Sequence, residues 1–249
     1  MPRFHLIVGA GSGIGRILVD KILFDSADKI IAVDKNFEPN GGLDHQRVRV
    51  FKVDICDGAN WKDIFGRDVE LSSCSFLAPS CKSRDSKMNE CGFTDNFVEN
   101  IGRVNYGFLH IIRAAMPRLS DNSHMVFVSS VLGTRVAPEA SLDYHASKST
   151  LESIAKYMAV KLAPRVHVNV LAPGLIARND SSALITDPLL ARMVHYATPL
   201  ERAYSQEEIA VAVRALGSGQ MGRISGQTIY MDGGASIQES FSLISRAIT

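Results

Sequence analysis

The sequence predicts a doubly wound parallel sheet between two layers of helices, a three-layer α/β/α domain. Three observations lead there. Short apolar runs recur along the 249 residues. Stretches with apolar residues at helical spacing separate them. A glycine-rich turn joins the first run to the first helix.

The first strand is "FHLIV" (Phe4–Val8), followed by a helix over "IGRILVDKIL" in which Ile17, Leu18, Ile22 and Leu23 can face a sheet. "KIIAVD" (Lys29–Asp34) and "VRVFKVD" (Val48–Asp54) read as the second and third strands. "APSCKSRDSKMNECGFTDN" (Ala78–Asn96) is polar and broken, a loop after a fourth strand. Phe97, Ile101, Val104, Phe108, Ile111 and Ala115 then mark a helix, and "HMVFVSS" (His124–Ser130) a strand. Leu151, Ile154, Ala155, Met158 and Leu162 mark another helix before the strands "VHVNVLAPG" (Val166–Gly174) and "QTIYMDGG" (Gln227–Gly234). All these runs read as buried, because parallel strands covered on both faces lose the alternation of apolar and polar residues. No internal repeat or linker interrupts the series, so residues 1–249 are expected to form one domain.

Composition narrows the function. Hydrophobic residues make up 46% and the net charge is +1, which suits a globule with a sizeable core and argues against nucleic-acid or anionic-membrane partners. No apolar run reaches the roughly 18 residues of a membrane span. The chain passes from Met1 almost directly into a strand pattern, without a secretory h-region, so a cytoplasmic location is expected. Cys56, Cys74, Cys81 and Cys91 form no C-x-x-C pair and have no His at ligand spacing. Reduced thiols and no metal are the expectation.

The glycine turn holds Gly9, Gly11, Gly13 and Gly15. The pattern G-x-G-x-x-G fails in both frames, because Ile14 or Arg16 takes the third place. G-x-x-x-G-x-G fits through Gly9, Gly13 and Gly15, leaving Gly11 as an extra glycine. Strand, glycine turn and helix in that order let backbone N–H groups approach a pyrophosphate at a helix N-terminus. Asp34 ends the second strand 19 residues past Gly15, where a carboxylate grips a ribose 2′-hydroxyl. It would repel a 2′-phosphate, so NAD is expected ahead of NADP, with the neighbouring Lys35 able to soften that repulsion. Asp54, ending the third strand, can similarly reach an adenine.

Tyr144 and Lys148 are four residues apart and share a helix face. A tyrosine hydroxyl ordinarily titrates near pH 10, and bringing it to neutrality takes about 4 kcal/mol. An ammonium at 4–5 Å contributes roughly that much at an effective dielectric of about 20. The pair can therefore donate and accept protons near pH 7.

Taken together, "GAGSGIG" (Gly9–Gly15), Asn105 in "VNYG", Ser130 in "VSSVLG" and "YHASK" (Tyr144–Lys148) resemble the short-chain dehydrogenase/reductase family. "NVLAPG" (Asn169–Gly174), "TPLERAYSQEEIA" (Thr198–Ala210) and "ISGQTIYMDGG" (Ile224–Gly234) extend the resemblance over essentially the whole chain. It implies a Rossmann-type fold and a nicotinamide cofactor. Tyr144 would be the general acid/base, Lys148 its partner and a ribose ligand, Ser130 the group that polarises the substrate oxygen, and Asn105 the holder of a relay water. Ser129 is the alternative serine. The cofactor would lie along Gly9, Gly11, Ser12, Gly13, Ile14 and Gly15, against Asp34, Asp54 and Ile55, and beside Tyr144, Lys148, Pro173, Gly174 and Ile176. The implied reaction interconverts a secondary alcohol and a ketone in a homodimer or homotetramer. A family-type epimerase or dehydratase, and a silent dinucleotide-binding sensor or scaffold, are the alternatives.

The pattern departs from the family at three places. Val8 replaces the usual Thr before the first motif glycine. "FLAPSC" (Phe76–Cys81) replaces "NNAG". Arg178 stands where a Thr normally meets the nicotinamide carboxamide. An acidic or strongly polar substrate is the expectation attached to Arg178, a solvated loop arginine the alternative. Residues 178–205 are expected to form the substrate-binding loop. The pocket walls are expected from Val131–Asp143, Leu175–Ala197 and Lys82–Gly92, with Leu142, Leu175, Leu184, Leu189, Leu190 and Met193 as apolar lining and Arg178 and His195 as polar anchors. In the tail, 235–249, Ile237, Phe241, Ile244 and Ile248 fall on one helical stripe, expected at a subunit interface.

Overall fold

The computed structural model describes residues 3–37, 43, 45–55, 64–66, 69–77, 92, 97–178, 183–239, 241–243 and 245. In chain order the elements begin with β1 (Phe4–Val8), α1 (Gly13–Asp25), β2 (Lys29–Asp34), β3 (Val48–Lys52) and β4 (Leu71–Phe76). They continue with α2 (Phe97–Ala115), β5 (Leu119–Val128), α3 (Leu142–Lys161), β6 (Val166–Pro173) and β7 (Ile176–Ala177). The last are α4 (Ala183–Thr186), α5 (Pro188–Ala197), β8 (Tyr204–Ser205), α6 (Gln206–Gly217) and β9 (Thr228–Met231).

Seven strands form one parallel sheet in the order β3-β2-β1-β4-β5-β6-β9. This is the predicted fold class, a single three-layer α/β/α unit. Successive residues of each central strand feed opposite cores. Leu6, Val8, Ile31, Val33, Met125 and Phe127 pack with Phe108, Ile111 and Ile112 of α2 and Leu151 and Ala155 of α3. Ile7, Ile30, Ala32, Val126 and Val128 pack with Leu18, Val19 and Ile22 of α1 and Ile209, Val213 and Leu216 of α6. Phe108 sits edge-on to both Phe76 and Phe127, at centroid distances of 4.4 and 4.7 Å. Each fully buried Phe or Leu of this kind contributes about 1.5–3 kcal/mol.

Several expectations change. β4 is "LSSCSF", a strand the apolar pattern hides: Ser73 and Ser75 are buried, and Ser73 Oγ lies 2.5 Å from His5 Nδ1. β3 stops at Lys52 and is an edge strand, with Val50 and Arg49 exposed rather than buried. The other edge, β9, is also only half covered. The segment expected as a substrate loop contains α4 and α5, the latter capped by Asp187, whose Oδ1 accepts from the N–H groups of Leu189 and Leu190. In the tail, Ile237 lies in a turn after Gly234 and is exposed, as is Phe241. The single helical stripe therefore does not extend through Ile237; Ile244 and Ile248 lie outside the described residues.

The chain winds one way from β1 to β3 and the other way from β4 onward, so β1 and β4 meet at the reversal. Ligands bind at such switch points, beyond the C-terminal ends of the strands.

Candidate active site

A cavity of about 1000 Å³ opens there, lined among others by Gly9, Ser12–Gly15, Asp34, Ser130, Tyr144, Gly174, Ile176 and Arg178. At its first end the backbone leaves β1 with Gly9 N–H donating to Val33 O at 2.8 Å, then turns through Gly9 and Gly13 at φ of 89° and 54°. A β-carbon on Gly15 would lie 1.9 Å from Gly9 O, so only glycine lets α1 start so close to the strand. Ser12 heads α1 without a side-chain cap, which leaves the first-turn N–H groups facing the cavity for an anion. Gly15→Ala is expected to cost about 1–3 kcal/mol of stability by overpacking, read by urea unfolding. It should also weaken dinucleotide binding, read by fluorescence titration.

Gly11 is more than an extra glycine. Its N–H donates to Asp34 Oδ2 at 2.9 Å, and a β-carbon there would come within 2.8 Å of the carboxylate carbon. Asn36 N–H donates to Oδ1 at 2.8 Å. Asp34 is thereby fixed at the cavity wall with lone pairs left for a ribose. Lys35 turns instead to Asp54, 3.7 Å away. Asp54 and Ile55 are not in the cavity wall; Ile55 packs on the core, and its carbonyl comes so near α2 that Gly107 has no room for a β-carbon. Gln206 is a wall residue the sequence reading missed. A β-carbon on Gly13 would lie 2.8 Å from its Nε2. The capping box of Ser205 and Glu208 that starts α6 sets Gln206 in place.

At the other end, β5 stops at Val128 and the two serines diverge. Ser129 Oγ donates to Glu152 Oε1 at 2.8 Å and is buried, whereas Ser130 heads the 3-10 turn Val131–Gly133 and lines the cavity. Ser130 Oγ accepts from Leu132 N–H at 3.2 Å, which leaves its own proton to donate. Tyr144, on the first turn of α3, lines the same cavity, with Lys148 Nζ 5.8 Å from its ring centroid. Lys148 is buried and donates to Val128 O at 3.1 Å. Burial pulls its pKa from the ordinary 10.5 down to about 8, against the opposing charge of Glu152. Neither Lys148 nor Asn105 is in the wall itself. Asn105 is buried; its Nδ2 donates to Ile101 O at 3.0 Å, and its Oδ1 has no hydrogen-bond partner among the described residues. Pro173 ends β6 and Gly174 follows, packed so closely that a β-carbon there would lie 3.0 Å from Asp232 Cβ.

Glu152 is a buried acid that no motif flagged. Replacing it with Leu should strand the Ser129 hydroxyl and remove the charge favouring the Lys148 ammonium, at a cost of about 1–3 kcal/mol. Glu152→Gln should retain the hydrogen bond and more of the stability; urea unfolding of the two variants checks this.

Of the expected apolar lining, Leu175 and Leu184 reach the cavity, joined by Val131, Leu132 and Leu77. Leu142, Leu189 and Met193 are largely exposed and outside the wall, as is Leu190. His195 faces Glu201 at 3.5 Å instead. Leu77, in place of the missing asparagine motif, donates its N–H to Val8 O at 2.8 Å. Residues 78–81 of that segment, and 82–91 of the expected pocket wall, lie outside the described residues. Among the described residues no group of His, Cys, Asp or Glu is arranged to hold a metal, and no helix is long and apolar enough to cross a membrane.

A protein family described as enoyl-(acyl carrier protein) reductase matches residues 42–236. Glucose 1-dehydrogenase of Gluconobacter oxydans (strain 621H) is 27% identical over 251 residues, spanning 95% of this chain and 92% of that protein. A 3-oxoacyl-(acyl-carrier protein) reductase with bound NAD from Brucella melitensis is 25% identical, with a TM-score of 0.76 over 93% of this chain and 90% of that one. ElxO with NADP bound shares the fold at a TM-score of 0.79 and 20% identity, over 96% of this chain and 100% of that one.

Proposed function

Because the chain belongs to the short-chain dehydrogenase/reductase family of NAD(P)-dependent oxidoreductases, we propose that it interconverts a secondary alcohol and a ketone using NAD(H). The observation that carries this reading is the shared cavity: the glycine turn, Asp34, Ser130 and Tyr144 all open into one space. A bound nicotinamide supplies or accepts the hydride. The α1 N-terminus would hold the pyrophosphate, and Asp34 the adenosine ribose. Ser130 would donate to the substrate oxygen and polarise it, while Tyr144 exchanges the proton with that oxygen. The Lys148 ammonium would offset the negative charge that develops on the phenol. Asn105 Oδ1, the buried acceptor left open, suits a water leading from Lys148 toward solvent.

On this reading residues 1–249 act as one domain, with residues 178–205 closing the substrate side. Exposed Tyr106 and Leu109 on α2, and Tyr157 and Val160 on α3, support a homodimer or homotetramer. Reduced thiols in a cytoplasmic setting complete the proposal: Cys74 is buried and its thiol is pushed up to about 12.

NADH and NADPH should be titrated in parallel by fluorescence, followed by an alcohol and ketone panel read by nicotinamide absorbance. NADH is expected to bind at least about tenfold more tightly, since one unpaired charge contact is worth that much. Asp34→Asn should narrow the gap. A preference for NADPH would overturn the role given to Asp34, and no turnover across the panel would overturn the redox assignment.

A further inference from the structure

The cavity wall carries two arginines that the proton-transfer groups do not use. Arg135 and Arg178 both line it, from different loops. Arg135 lies just past the 3-10 turn that follows Ser130, and Arg178 just past β7, which follows Gly174. Arg135 Nη2 donates to the Ser236 carbonyl, which leaves most of its planar fork of donors uncommitted. Among the described residues Arg178 has no hydrogen bond or ion pair, and neither guanidinium pairs with a carboxylate.

The acids of the same wall do not answer them. Asp34 lies against Gly11, at the dinucleotide end. Asp232 is engaged twice: its Oδ1 accepts from Gly234 N–H at 3.0 Å and its Oδ2 from Ser236 N–H at 2.8 Å. Tyr144 and Ser130, in the same wall, are hydroxyl groups and offer the arginines no carboxylate. A guanidinium is always charged and presents donors that match a carboxylate or phosphate in pairs. Two of them in the wall of one cavity, neither paired with a carboxylate among the described residues, favour an anion.

We infer that Arg135 and Arg178 together hold an anionic group, a carboxylate or a phosphate ester, carried by the alcohol or ketone whose oxygen meets Tyr144 and Ser130. The inference rests on the proposed oxidoreductase reading and adds to it a substrate class.

The test uses the full chain saturated with NADH, with binding read from the fluorescence of the bound cofactor. Acetoacetate is compared with methyl acetoacetate, and dihydroxyacetone phosphate with dihydroxyacetone. At least one anion should bind about tenfold or more tightly than its neutral counterpart, the value of one charge-assisted contact; the stronger arm identifies the group. Arg135→Ala and Arg178→Ala should each remove most of that preference while leaving NADH affinity within about twofold, and the Lys variants should keep part of it. Equal or undetectable binding of the anions and their neutral counterparts overturns the inference. So does an Arg178→Ala variant that loses NADH affinity but keeps the anion preference, because Arg178 would then belong to the cofactor. Failure of the wild type to bind NADH is the separate result that overturns the proposed function.

Discussion

Tyr144→Phe is expected to lower kcat/KM by about 10²- to 10⁴-fold, the usual contribution of a positioned general acid/base. The ring stays and only the hydroxyl goes. The packing of α3 and the neighbourhood of Lys148, 5.8 Å from the ring centroid, are therefore retained. NADH affinity should remain within a few fold, so the loss appears in kcat rather than in cofactor binding. Steady-state kinetics beside a fluorescence titration separates the two. Full turnover by the Phe variant would place the proton path elsewhere. Ser130→Ala should weaken the same step, whereas Ser129→Ala should act through stability, because the Ser129 hydroxyl faces Glu152 and not the cavity.

Lys148→Met should also abolish most turnover, yet make the cofactor-free protein more stable at neutral pH. Lys148 is buried, and burial drags its pKa from 10.5 to about 8. The unfolded chain holds that proton up to pH 10.5, while the folded chain releases it near 8. Wild-type stability therefore rises as pH increases across that window. Below it the buried ammonium costs about 3 kcal/mol. The Met variant escapes this cost but leaves Val128 O without its donor, worth about 1 kcal/mol. A net gain of roughly 2 kcal/mol should raise the melting temperature by about 4–8 °C at pH 7. The gain should shrink between pH 8 and 10.5 and, above that, give way to a deficit of about 1 kcal/mol, because only the lost hydrogen bond to Val128 O then remains. A flat difference between variant and wild type across this range would show that burial does not set the charge of Lys148.

Such a cost fits a group kept for chemistry rather than for folding. Among the described residues the Lys148 ammonium forms no ion pair with a carboxylate, and it donates to a main-chain oxygen. Proteins carry strained or poorly solvated groups where function requires them, and the surrounding packing compensates. Here α3 packs Leu151, Ala155 and Ala159 into the core directly beyond Lys148.

How far the sequence reached depended on the kind of signal. β1 and β2 and the extent of α2 were legible to the residue, since apolar runs and helical spacing are local properties. β4 was not, because its serines look like loop residues until His5 and the backbone supply their partners across the sheet. His5 is itself buried, and burial lowers its pKa while Asp28, 3.0 Å from its Nε2, pulls the other way. β5 begins five residues before the apolar run does, at Leu119, because pairing with Leu71 of β4 extends it through polar residues. The exposure of β3 depends on its place at the sheet edge, and strand order is not written in strand composition.

The sequence by itself determined the alternation that makes a parallel sheet, the glycine turn and the spacing of Tyr144 and Lys148, because each depends on residues near one another in the chain. Only the tertiary structure decided which serine faces the cavity, that Gly11 holds Asp34, and that Gln206 covers Gly13. It alone brought Arg135 and Arg178 to one cavity. These pairings join residues far apart in sequence, and their geometry exists only once both cores have closed on the two faces of the sheet.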